Sequence, residues 1–251
     1  MQLLDHTFAS PAENLACDEA LLNWAEQGGG EALRFWEPRD YFVVVGYANR
    51  VETEVNVAAC AARNVPILRR CSGGGTVLQG PGCLNYAVVL QIAKRPALAN
   101  ISSTNTFVME RNCGAIEPAV RNQKPETGIA IKGHTDLTLV THHSSRVTPR
   151  KFSGNSQRRF RRALLFHGTF LLDFNLPLIT EFLRMPSKQP GYRNNRPHGD
   201  FLVNLNLTAA RLKKALTKVW GATGDLCHFP ESEAQQLAVG KYSTREWNFK
   251  L

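Results

Sequence analysis

Arg69-Arg70-Cys71-Ser72-Gly73-Gly74-Gly75-Thr76-Val77 carries paired cations out of an apolar stretch and into three consecutive glycines. Glycines without side chains let the backbone approach a ligand and present its N–H groups at close range. The arginines add fixed positive charge suited to a carboxylate or a phosphate. A glycine triplet also serves as a plain surface turn, so its neighbours decide the reading. No Lys-Ser or Lys-Thr follows at P-loop spacing, and Leu78 stands where a dinucleotide fingerprint would place its third glycine. The chain returns through Gln79-Gly80-Pro81-Gly82-Cys83-Leu84-Asn85-Tyr86 into a second apolar run. Val65–Leu68 and Asn85–Ile92 therefore read as strands bracketing a glycine-rich ligand loop.

Two further segments carry chemistry-bearing residues. Lys132-Gly133-His134-Thr135-Asp136-Leu137-Thr138-Leu139 reads as a turn entering a strand. After a polar hairpin come Arg150-Lys151-Phe152-Ser153-Gly154-Asn155-Ser156-Gln157 and then Leu164-Leu165-Phe166-His167-Gly168-Thr169. Together, Arg-Arg-x-Ser-Gly-Gly-Gly-x-Val with Leu-Asn-Tyr, the Asp136 strand, the Lys-x-x-Gly-x-x-Gln loop and the His-Gly-Thr strand resemble the lipoate–protein ligase and octanoyltransferase family. Asn14–Leu22 is similar to that family's first helix and Lys241–Asn248 to the end of its catalytic domain, so the likeness spans nearly the whole chain.

Residues 12–27 have apolar residues at helical spacing, stopped by Gly28-Gly29-Gly30. Ala32–Trp36 and Tyr41–Gly46 read as strands, Asn56–Arg63 and Ser102–Cys113 as helices, and Pro186–His198 as a loop. Leu207–Trp220 is an amphipathic helix with Leu212, Leu216 and Val219 on one face, and Ser232–Leu237 a short final one. Strands and helices mix without regular alternation, which predicts an α+β fold. The resemblance implies a mixed β-sheet flanked by helices, the biotin/lipoate protein ligase catalytic domain also related to class II aminoacyl-tRNA synthetases. It implies one domain over 1–251, without the accessory C-terminal domain of many bacterial ligases.

At 251 residues, 43% hydrophobic and 20% charged, the chain has an ordinary soluble composition. No apolar run is long enough to span a bilayer, and the N-terminus lacks a basic region followed by an apolar core, so a cytoplasmic protein is expected. The six cysteines lack Cys-x-x-Cys spacing, which argues against zinc and a disulfide framework. They read as reduced core residues, apart from Cys71, whose arginine neighbours would favour the thiolate. The formal net charge is +9, and Arg158-Arg159-Phe160-Arg161-Arg162 concentrates part of it. No nucleic-acid-binding signature accompanies that run. It reads as a solvated face or as a basic rim that steers an acidic partner.

The resemblance implies an activated acyl group passed to a lysine amine, with ATP and Mg2+ (as the substrate complex) and lipoate or octanoate as the acid. The acceptor it implies is an acidic lipoyl-domain protein, in some family members with a separate accessory subunit; no resident metal, nucleic acid or membrane is implied. Lys151 is the expected catalytic residue, bridging carboxylate and α-phosphate. Arg69, Arg70 and the Gly73, Gly74 and Gly75 amides are expected to line the acyl and phosphate site. Ser72 either donates there or caps the turn, and Asn85 closes the loop by pairing with backbone. Asp136 either meets the adenylate or magnesium or caps a turn. His167 reads as a core histidine that the resemblance draws towards the pocket, along with Gly154 and Gly168. The rival function is an octanoyltransferase working through a cysteine thioester. Its two classes place that cysteine near the Asp136 strand or beyond the His-Gly strand, and this chain has none between 114 and 226. A third reading is a homologue that binds an acyl group or carrier domain without catalysis; the Lys151 motif argues against it.

Overall fold

The computed structural model describes residues 1–141 and 148–251. Strand β1 (Gln2–Asp5) leads into helix α1 (Pro11–Glu26), whose start is fixed by a capping box. Ser10 caps the Glu13 amide while the Glu13 carboxylate reaches back to the Ser10 amide. Then come β2 (Ala32–Trp36), β3 (Phe42–Val45), α2 (Val51–Glu54), α3 (Val57–Ala62), β4 (Ile67–Arg69), β5 (Val77–Gln79) and β6 (Cys83–Gln91). A long α4 (Ile101–Arg121) precedes a run of four strands, β7 (Thr127–Lys132), β8 (Asp136–Thr141), β9 (Arg150–Arg159) and β10 (Ala163–Leu171). The C-terminal part is helical: α5 (Pro177–Phe182), α6 (His198–Phe201), α7 (Ala209–Trp220), α8 (Glu231–Leu237) and α9 (Arg245–Asn248).

Seven strands form a mixed sheet in the order β1-β2-β6-β10-β9-β8-β7, and β4-β3-β5 form a small second sheet. Only the β1/β2 and β3/β4 pairs are parallel. The mixed sheet flanked by helices is the α+β architecture expected from the sequence. Alternation along each strand sorts the side chains between two layers. Leu33, Phe35, Leu84, Tyr86, Val88, Leu164, Phe166 and Phe170 pack under α4 and α7. The opposite face carries Ala32, Ala87, Ala163 and Leu165, small enough overall for α1 to lie close with Cys17, Ala20 and Leu21. Arg34 and His167 occupy this α1 face by parity, and both pair in register with Ala87 of β6.

The expected first helix, β2, β3, the amphipathic α7 and the short α8 are found where the sequence put them, within the usual uncertainty of element ends. Two readings change. The Ser102–Cys113 helix continues to Arg121, because Ile116, Ala119 and Val120 extend the buried stripe of Val108 and Met109 by two more turns. The Lys151–Gln157 segment is not a loop but most of the central strand β9, paired on both sides. The polar hairpin before it falls partly on residues 142–147, outside the described residues. Among the described residues, no helix is long and apolar enough to cross a membrane.

Candidate active site

A cavity of about 590 Å³ opens beside α1, which contributes Leu15 and Asp18 to its lining, over the same sheet face. Its floor is one row across the sheet, set by register: Trp36 opposite Asn85, Asn85 opposite Thr169, Thr169 opposite Gly154, and Gly154 opposite Asp136. All five line the cavity. One wall is the glycine loop at Gly74 and Gly75, and the other is the Pro186–His198 segment. The loop is shaped from below by Arg70, whose guanidinium donates to the Gly73 carbonyl at 2.6 Å, the Gly75 carbonyl at 2.7 Å and the Ser72 hydroxyl at 3.1 Å. Burial pushes the Arg70 guanidinium down to about 10, which still leaves it charged at neutral pH. Gly74 sits at φ +85°, and a Cβ at Gly46 would lie 2.1 Å from the Gly74 carbonyl oxygen. Two backbones therefore touch here, which only glycine permits. Among the described residues the amides of Gly73, Gly74 and Gly75 donate no hydrogen bond, so they are available to an anion.

Lys151 enters the cavity from β9 and meets Asp136 at 2.7 Å. A register shift between Leu137 and Thr138 re-aims the β8/β9 pair at this point. The missing side chain at Gly154 makes room for the lysine: a Cβ there would lie 2.7 Å from Lys151 Nζ. The other Asp136 oxygen accepts a 2.7 Å bond from the Tyr192 hydroxyl on the 186–198 segment. Burial and the adjacent carboxylate push the Tyr192 phenol up, so it remains a donor. Gly168 leaves space for Asn155, whose side-chain oxygen accepts from Tyr86.

Ser72, His167 and Asp18 form one buried line. Ser72 Oγ lies 2.6 Å from His167 Nε2, and His167 Nδ1 lies 2.8 Å from Asp18 Oδ2. Asp18 Oδ1 is held by Arg34 at 2.5 Å. Burial alone would raise the Asp18 carboxyl, but Arg34 and His167 outweigh it and hold the group below its ordinary range. Asp18 and His167 both line the cavity. Beside them Asn85, Gln79 and Thr169 close a ring of side-chain hydrogen bonds of 3.0, 2.6 and 2.5 Å.

The structure therefore brings together Lys151, Arg70, Gly74, Gly75, Asn85, Asp136, Gly154, His167 and Gly168 around one cavity. Ser72 and Gly73 lie just behind its wall. Arg69 points elsewhere. Its fully buried guanidinium donates to the carbonyls of Gly46, Tyr47, Asn49, Trp247 and Asn248, so it ties the C-terminus to the loop's base rather than facing a ligand. Neighbouring side chains leave an extended backbone on opposite sides, so both arginines of the pair could not serve the cavity. Asn85 pairs with side chains rather than backbone. Asp136 is held by Lys151 and Tyr192 rather than capping a turn. Cys71 does not carry a thiolate: its thiol is buried in the α1 core and pushed up to about 12 by that burial and by Glu19, which outweigh the Tyr242 hydrogen bond and Lys241. Cys17, Cys60 and Cys83 are core residues as expected, whereas Cys227 is exposed.

Asp18, Arg34 and Tyr192 were missed by sequence reasoning. The first two had a signal: Arg34 is the one charge in the apolar run Ala32–Trp36, and Asp18, next to Glu19, interrupts the apolar run Ala16–Leu22. Tyr192 had none, because its partner lies 56 residues away.

The cavity sets the glycine loop and Lys151 against an apolar remainder that includes Val44, Leu171, Ile179 and Leu183. The chain matches the lipoyl protein ligase A/B catalytic domain over residues 10–217 and belongs to that family. It is 28% identical over 280 aligned positions to octanoyltransferase LipM of Bacillus subtilis, with 99% of this chain and 98% of that protein covered. Among solved structures it is similar to the bipartite lipoate protein ligase of Thermoplasma acidophilum, described with its E2 lipoyl domain. There the TM-score is 0.78 at 21% identity, over 99% of this chain and 95% of the other. A lipoate-protein ligase A bound with ATP gives 0.75 at 22% identity, over 99% and 98%. The chain is thus an enzyme of the lipoate ligase and octanoyltransferase family.

Proposed function

We propose that this chain is an ATP-dependent ligase that joins lipoate or octanoate to AMP and passes the acyl group to a lysine of a lipoyl-domain protein. One observation carries the choice of ligase: among the described residues no cysteine lines the cavity that holds Lys151, and residues 142–147 contain none. An acyl-cysteine route lacks its nucleophile here. Lys151 and the loop amides supply the positive groups that adenylate formation needs, where charge builds on the phosphorus and then on the carbonyl oxygen. Mg2+ would arrive with the nucleotide. A lysine-bearing lipoyl domain is favoured as acceptor by the partner described for the Thermoplasma relative and by exposed Arg161 and Arg162 beside β9, which suit an acidic surface.

The second reading is an octanoyltransferase, favoured by the name of the Bacillus relative that this chain covers almost end to end. Mass spectrometry on protein mixed with ATP, Mg2+, octanoate or lipoate and a lipoyl domain separates the two. Acyl-AMP and a labelled acceptor support the ligase. No adenylate, with labelling only from octanoyl-carrier protein, supports the transferase. Adenylate without labelling points to an accessory subunit.

A further inference from the structure

We propose that His167, oriented by Asp18, is the base that deprotonates the acceptor lysine; the step is written for the acyl-AMP donor and so rests on the ligase reading above. A lysine ammonium has a pKa near 10.4, so roughly one in 2,500 is neutral at pH 7 and able to attack. The cavity must therefore supply a proton acceptor. Apart from Asp18, the carboxylates that line it are engaged, Asp136 with Lys151 and Tyr192 and Glu54 with the Ser187 hydroxyl, and so is His198 with the Arg184 carbonyl and Arg193. His134 is exposed at the rim.

His167 has the arrangement a base requires. Asp18 Oδ2 accepts from Nδ1–H, which leaves the Nε2 lone pair to accept a proton on the side of the Ser72 hydroxyl. Asp18 stays ionised and stabilises the imidazolium that forms, while Arg34 fixes its other oxygen. The elements around the ring contribute Asp18 from α1, Arg34 from β2 and Arg70 from the glycine loop as charged groups, and the neutral Ser156 from β9.

In the step, the ammonium gives one proton to Nε2 in place of the Ser72 hydroxyl. The freed pair on nitrogen attacks the acyl carbonyl carbon and a C–N bond forms. The C–O bond to phosphate breaks, and AMP leaves with that electron pair. The surplus proton on nitrogen goes to the departing phosphate oxygen, and the imidazolium later returns its proton to water.

The test is His167→Asn, whose side-chain N–H can replace Nδ1–H towards Asp18 and keep Arg34 and Asp18 paired; His167→Gln is the second variant should the first not fold. Three rates are read: adenylate formation from ATP and octanoate, single-turnover transfer from supplied octanoyl-AMP to a lipoyl-domain lysine, and the same transfer to hydroxylamine, which is neutral at pH 7. Lysine transfer is expected to fall by about 10²–10⁴-fold, with adenylate formation and hydroxylamine transfer retained. An equal fall for both nucleophiles, or no fall for lysine, overturns the proposal. So does an octanoyl ester found on Ser72 that Ser72→Ala removes, since the relay would then serve a nucleophile. If the wild type forms no adenylate the ligase reading fails, while the transfer arms, given octanoyl-carrier protein as donor, still decide the base.

Discussion

Replacing Lys151 with Met keeps the apolar stem and removes one charge from the cavity. Its ammonium is 2.7 Å from Asp136, and the two side chains are 25% and 12% exposed. A pair that water still reaches contributes little to stability, about 1 kcal/mol or less. In a chain of 251 residues that moves the melting temperature by about 2–4 °C. The effect on catalysis is larger. A positioned donor facing charge that develops in the transition state contributes about 2.7–4 kcal/mol, or 10²–10³ in kcat. Coulomb attraction across 4 Å at an effective dielectric of 20 gives a similar ~4 kcal/mol. Asp136 would then face the incoming carboxylate and phosphates uncompensated, so KM for both should rise as well. The assay is pyrophosphate release with ATP and octanoate, beside a thermal melt of the same sample. A folded Lys151→Met variant that retains more than about a tenth of the wild-type rate would refute the assignment, since it would mean that the cation supplies less than ~1.4 kcal/mol.

Arg69→Lys should destabilise the chain by about 2 kcal/mol or more, because one ammonium cannot satisfy the carbonyls that the guanidinium reaches; an unchanged urea midpoint would count against its structural role. Iodoacetamide should label native Cys227 and spare Cys17, Cys71 and Cys83, whose thiols burial raises to about 12, and activity should survive. Rapid inactivation with label on Cys71 would return a thiolate to the mechanism. Asp18 and Glu31 both have carboxyls held below their ordinary values in the folded chain. Their contribution to stability is complete above those values and is lost as pH falls through the folded ones, so the urea midpoint should drop from about pH 5 downwards. A midpoint that holds level or rises on acidification would contradict these pairings.

Local chemistry in the sequence determined a good part of this protein. The glycine triplet with Arg70 marked the loop that walls the cavity, Lys151 and Gly154 marked one end of that cavity, and the period of Leu212 and Leu216 marked the helix that covers the sheet. These features are legible because each depends on residues close together in the chain, or on a residue type that few backbone settings accept. Tertiary structure decided the rest. The sequence does not say which of Arg69 and Arg70 reaches the cavity, because that depends on a C-terminal segment about 178 residues away. It does not say that Cys71 is inert, because that follows from burial against α1, with Glu19 and Asp18 adding to it. The pairing of Asp18 with His167 spans 149 residues and follows from sheet register, which sets His167 beside Ala87 under α1. Strand pairing and side-chain parity, properties of the assembled sheet, turned scattered motif residues into one cavity.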